Sequence, residues 1–312
     1  MAEPTNLPVE ERIKSENQWT LILKRFVTNP LAMGSLIVFI GIWVFSVVMV
    51  GLGPISGIWE LNHRTPYPQA APNGAPTLEH PFGQDTIGQD YFAMTMRGIQ
   101  NSYLVMLLIG GVGTVIGTVI GAVAGYFRGW IDALLMRITD VFIVIPALVI
   151  GAVVGRISGD MGIWVLGTLL GAFLWMSIAR LVRGEFLTLR EREFVDAARV
   201  AGASDARIIF KHILPNAVGV VIVASSLLMA AAILTETGLS YLGYGIRPPE
   251  VSLGRLISDN QTAFANRPWL YWWPALFIVT PALAVNFVGD GLREAFDPRQ
   301  KRFNRRRTRE QS

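Results

Sequence analysis

The sequence predicts an all-α integral membrane protein with six transmembrane helices. Three observations carry that expectation. The 312-residue chain is 52% hydrophobic and only 16% charged, with a mean hydropathy of +0.43 that lies outside the balance of soluble domains. Six apolar runs are each long enough to cross a bilayer. Basic residues collect on alternate connections between those runs.

The runs cover 31–52, 102–124, 138–154, 162–181, 217–234 and 270–288. About 20 apolar residues cross a bilayer as helix, with ~17 near the lower limit. Lipid offers no partner to exposed backbone, so these runs are expected to be helical. A polar N-terminal segment, 1–30, precedes the first transmembrane helix, 31–53. That run is longer than a signal-peptide core and lacks a small-residue cleavage pattern behind it, so it reads as a retained anchor. An external loop follows over 54–101, with the Pro-rich stretch "RTPYPQAAPNGAP" predicting irregular structure. Residues 102–290 then form a core domain with the other five spans and a charged loop at 183–215. A basic tail, 291–312, ends the chain.

Orientation follows from Lys and Arg. With six alternating spans, the side holding both termini has four basic residues in the N-terminal segment, two at 126–137, seven at 180–211 and eight in the tail, 21 of the 27 in all. Basic residues favour the cytoplasmic side, so both termini and the 183–215 loop are expected there. The tail "KRFNRRRTRE" is read as a topology determinant rather than a nucleic-acid site.

Within the second span, Gly113, Gly117, Gly121 and Gly125 recur every four residues and mark a face for close helix packing. The same stripe would serve a sliding surface between moving helices, and spacing alone does not separate the two. Pro146 predicts a kink in the third span. "WLYWWP", 269–274, reads as an interfacial aromatic belt, and "GYGIRPPE" as a turn region.

The stretch "EFVDAARVAGASDARIIFKHILPN", 193–216, is too charged to cross a bilayer. Phe194, Ala197, Ala198 and Ala201 share one helical face. Gly202 supplies a stop, Ser204 an N-cap, and Ala206, Ile209, Phe210, Ile213 and Leu214 repeat the apolar spacing up to Pro215. The expectation is two short amphipathic helices joined at a glycine bend. Such a knob either lies on lipid headgroups or docks a soluble partner.

That stretch resembles the cytoplasmic signature loop of membrane subunits of bacterial ABC importers, a Glu-Ala-Ala, Gly, Leu-Pro pattern matched by Ala197, Ala198, Gly202, Leu214 and Pro215. Asp196 stands where the pattern has Glu. "HPFGQDTIGQD", 80–90, "LSYLGYGIRPPEVSLG", 239–254, and "NFVGDGLREAFDPR", 286–299, resemble the C-type permease of dipeptide and oligopeptide importers, with Gln89 at a position that is usually Arg. The resemblance runs from about 19 to 299.

It implies a type I importer permease fold in the bacterial cytoplasmic membrane. A second, B-type permease would complete the path, two ATP-binding subunits or domains would dock on the knobs, and an external binding protein would deliver cargo. Glu193, Asp196, Ala197, Ala198 and Gly202 would then couple to the ATPase, with Ile213, Leu214 and Pro215 joining the knob to the fifth span. The chain is expected to bind no cofactor or metal, with ATP and Mg on the partner subunits. Lys14, Lys24, Lys211 and Lys301 follow Ile, Leu, Phe and Gln, so no Walker A loop exists.

Two rival classes are weighed against this reading. An ion-coupled secondary transporter needs ionisable residues near mid-membrane, and the candidates Asp140 and Glu236 fall near span ends. An enzyme needs a convergent catalytic set. No Ser/His/Asp, paired-carboxylate or metal-ligand cluster falls at useful spacing, and His63, His80 and His212 are far apart. The chain lacks Cys, so it has no disulfide framework.

Overall fold

The computed structural model describes residues 18–158 and 161–296, and the arginine-rich tail from 297 lies outside them. Helix α1 (Gln18–Thr28) was not expected from the sequence. It turns into α2 (Pro30–Val50) at Asn29, whose side chain accepts from the N–H groups of Leu31 and Ala32, both at 3.1 Å, with Pro30 opening the helix. α1 lies along the last turns of the final helix, where Arg25 Nη1 donates to the Ala295 carbonyl at 3.3 Å. α2 is apolar all round with only Ala32 and Ser46 buried, as suits a helix that meets lipid over much of its surface.

Gly51, at φ +77°, ends α2 and folds the chain back along it, so that Trp59 N–H reaches the Met49 carbonyl at 2.9 Å. The irregular segment that follows is pinned at Asp90. This fully buried carboxylate caps α3 (Tyr91–Phe127) through Ala93 N–H and also accepts from Trp59 Nε1, both at 2.9 Å, and from His80 Nδ1 at 2.8 Å. Gln84 is buried beside it, holding Ala70 N–H and the Pro68 and Gly88 carbonyls.

The expected external loop therefore ends at 90, not 101. Residues 91–101 are helical because their polar side chains have buried partners. Gln100 Nε2 donates to the Ser46 and Gly51 carbonyls, and Asn101 Nδ2 to that of Val251. At 37 residues α3 is about 55 Å long, well beyond the ~30 Å hydrocarbon layer.

The third run forms two helices, α4 (Gly129–Val144) and α5 (Ala147–Ser158), bent by 85° at Ile145–Pro146. Pro146 thus produces a full break where a kink was expected. Its carbonyl accepts from Val149 and Ile150 and so starts α5. A second break, of 45°, separates α6 (Ile163–Phe173) from α7 (Met176–Leu189) without any proline. Leu174 N–H bonds the Gly171 carbonyl in a tight final turn that redirects the chain along α3.

Among the described residues four helices are long and apolar enough to span, or up to six with each bent pair taken as one span. Two of those four are the closing helices of the bundle. α8 (Glu193–Val200) is followed by a short turn α9 (Asp205–Arg207), a π-helical turn (Ile208–Ile213) and α10 (Leu214–Tyr241). Then α11 (Leu253–Asp259) tucks between α3, α10 and α12 (Trp269–Phe296).

α3 is the axle of the bundle. A Cβ at Gly117 would sit 2.7 Å from the Trp175 carbonyl, and one at Gly125 would sit 2.6 Å from Phe186 Cβ and 2.8 Å from the Arg183 carbonyl. Gly113 meets Leu228 of α10 and Gly121 meets α7 backbone, so the glycine row seats α3 directly against its neighbours. The aromatic run at 269–274 departs from a simple belt. Trp273 stacks on Phe82, with centroids 3.9 Å apart, and Trp269 abuts Gly83, while Trp272 remains exposed. Two of the three tryptophans therefore clamp the segment before α3 onto the bundle.

Candidate coupling site

At the opposite end of α3, α8 and its flanking turn form a knob. α8 closes in a Schellman motif. Ala203 N–H bonds the Ala198 carbonyl at 3.0 Å, Gly202 N–H bonds the Arg199 carbonyl at 2.9 Å, and Gly202 has φ +79°. Ser204 takes the N-cap position, but its hydroxyl makes no capping bond.

The expected second short helix does not exist as a separate element. Residues 205–241 run as one helix, with Leu214 N–H bonding the Ile209 carbonyl across the wider π turn. Pro215 sits in the first turn of α10 and lacks an N–H. The proline follows directly on this wider turn and the helix continues past it.

Burial also departs from the expected faces. Of Phe194, Ala197, Ala198 and Ala201, only Ala198 is buried. Val195, which the spacing did not single out, is fully buried beside it. Val195, Ala198, Ile208, Ile209 and Ile213 join Phe186 and Val182 of α7 and Tyr126 of α3 in one core. Leu214 packs against that core, and Pro215 is exposed.

What remains outside is a second apolar face. Phe194, Ala197, Val200, Ala201 and Phe210 are exposed, Val200 at 90% and Phe210 at 63%. The exposed carboxylates of Glu193 and Asp196 lie on the same two-turn helix, with Asp196 paired to Arg199 at 3.1 Å.

Polar contacts tie the knob to α3, and α7 to α4. Tyr126 Oη donates to Asp205 Oδ1 at 2.6 Å, and Arg190 Nη1 donates to the Tyr126 carbonyl. The Arg190 and Arg199 guanidinium carbons lie 5.6 and 6.0 Å from the Tyr126 ring centre. Arg128 pairs with Glu191 at 2.7 Å. Arg183 makes a bidentate pair with Asp132, at 2.5 and 2.6 Å, and Arg180 pairs with Asp140 at 2.5 Å. Sequence reading missed Tyr126 and Asp205 because 79 residues separate them.

The two carboxylates weighed for ion coupling have different settings. Asp140 is half-exposed in its pair with Arg180. Glu236 is completely buried, accepting from Ser240 Oγ at 2.6 Å and Ser102 Oγ at 3.2 Å. Ser102 Oγ in turn accepts from Leu253 N–H, so this cluster joins α3, α10 and α11.

Residues 117–302 match the family of binding-protein-dependent transport system inner membrane components. The oligopeptide transport system permease protein OppC of Mycobacterium tuberculosis is 39% identical over 287 residues, 92% of this chain and 96% of that one. The chain belongs to this permease family. OppC of Haemophilus influenzae is 35% identical over 297 residues, covering 94% of this chain and 92% of its own. A solved structure of the MetNI methionine ABC transporter in an inward-facing conformation shares the fold, with a TM-score of 0.55 at 19% identity over 66% of this chain and 97% of that one. The chain is thus a membrane-spanning permease subunit of an ABC importer, and the six-span type I fold expected from its sequence is the one it adopts.

Proposed function

We propose that this permease forms half of the translocation pathway of an ATP-driven importer for peptides or related small solutes, coupled to separate ATPase subunits through the α8 knob. A second, B-type permease completes the path, two ATP-binding subunits or domains supply hydrolysis with ATP and Mg, and an external binding protein delivers cargo. Both termini and the knob face the cytoplasm. Peptide cargo is the reading that the OppC relatives support. The absence of any Gly-Lys pair supports an external source of energy.

One observation carries the coupling reading: α8 has two apolar faces. The Val195 and Ala198 face is committed to the bundle core, and the Phe194, Ala197 and Val200 face is bare. A helix anchored on one side and apolar on the other is a rigid handle. The alanines let a partner approach closely, and Glu193 and Asp196 fix its register. Glu193, Asp196, Ala197 and Gly202 therefore face the ATPase, while Ala198, Ile213, Leu214 and Pro215 transmit its motion into α10. A partner shifts the inward–outward balance only through differential contact with the two states, so the knob must be gripped differently in each.

The test uses the assembled importer in lipid nanodiscs and proteoliposomes. Asp196→Lys and Gly202→Val are expected to lose the co-purifying ATPase or to hydrolyse ATP without uptake. Wild-type uptake per ATP in both variants would refute the assignment.

A further inference from the structure

The segment before α3 carries a cavity of about 650 Å³ that the transport mechanism does not use. Its walls include Trp59, Glu60, Tyr67, Glu79 and His80, and no Lys or Arg lines it. Glu60 and Glu79 are exposed and take part in no ion pair or hydrogen bond with the described residues. His80, only 3% exposed, forms part of the wall. Asp90 takes three donors, Trp59 Nε1, Ala93 N–H and His80 Nδ1. A carboxylate that only accepts calls for a proton on His80 Nδ1. The cavity therefore offers two carboxylates and two aromatic rings, complementary to an N–H-bearing cation.

Two features decide what brings that cation. Every wall residue comes from 58–80, and none from the spans, so the cavity lies apart from a path built between helices. Ile58 of the wall and Leu78, next in sequence to Glu79, are exposed at 69% and 100%, apolar side chains of the kind that protein contacts cover. We infer that this cavity receives a lysine or arginine side chain of the external binding protein as it docks. The inference rests on the reading that this end of the bundle is external and is served by such a protein.

The test is direct binding of the fluorescently labelled binding protein to the assembled importer in nanodiscs, a readout independent of ATP hydrolysis. The isosteric pair Glu60→Gln and Glu79→Gln is expected to weaken Kd about ten-fold, and rising salt should then weaken the variant less than the wild type. Leu78→Ala, at a side chain with no packing to lose, is expected to weaken Kd roughly three-fold. An unchanged Kd in both variants overturns the inference. So does an unchanged Kd with uptake lost only for lysine-containing peptides, which would make the cavity a cargo site. Failure of the coupling reading shows up elsewhere, as normal uptake in the Asp196→Lys and Gly202→Val importers.

Discussion

The two ends of α3 hold extramembrane structure in opposite ways. At its start, the segment 51–90 is fixed by a buried polar network with Asp90, His80 and Gln84 at its centre, and by tryptophans that clamp it to α12. At its end, the α8 knob is fixed by a small apolar core and by ion pairs that stay partly open to water. The first arrangement leaves little freedom, because each buried group that loses its partner carries a full desolvation cost. The second holds position yet leaves a bare apolar face. One end is built as a fixed cap, and the other as a handle.

The sharpest way to break this contrast is Asp90→Ala. It strands Trp59 Nε1, His80 Nδ1 and Ala93 N–H in a buried site and is expected to cost about 3–5 kcal/mol. Thermal unfolding of the detergent-purified chain checks this, and a small loss would mean that water reaches the network. Next comes Gly117→Val, which forces side-chain atoms onto the Trp175 carbonyl and Ile178. About 2–3 kcal/mol of destabilisation is expected from overpacking, read from the same melting curve. A neutral result would show that α3 and α7 separate freely, as a sliding surface requires.

Tyr126→Phe removes one hydrogen bond between α3 and the knob, and about 1 kcal/mol of stability is expected to go with it. Uptake per ATP hydrolysed should fall further than melting suggests, and equal losses would assign Tyr126 to stability alone. Smallest in its effect on folding is Asp196→Asn. Its pair with Arg199 is solvent-exposed, so melting should not move measurably. Any loss of ATPase association in that variant therefore reports contact with the partner.

Much of the fold was legible because lipid imposes a simple rule on length and polarity. The first, second, fifth and sixth spans follow from apolar runs, and the glycine row and Pro146 reveal themselves by spacing and by chemistry. The start of α3 was hidden because Arg97, Gln100 and Asn101 read as loop residues, whereas Gln100 and Asn101 find partners in α2 with its closing turn and in the turn before α11. The break at Leu174–Trp175 carries no proline signal, since it answers to packing along α3. On the knob, the motif residues mark its location well. An eight-residue helix has too few turns for periodicity to decide its buried side, and so Val195 and the bare face emerge only from the packing.

The π turn at 208–213 has a mechanical corollary. It holds one surplus residue relative to an ordinary helical winding, and it lies between α8 with its flanking turn and the long apolar rod of α10. Because the wider turn absorbs that residue locally, deleting it would let the turn wind as ordinary helix while Ile208 and Ile209 keep their buried side. One amino acid thus lets the turn that seats on the bundle core and the long apolar rod share a single continuous helix.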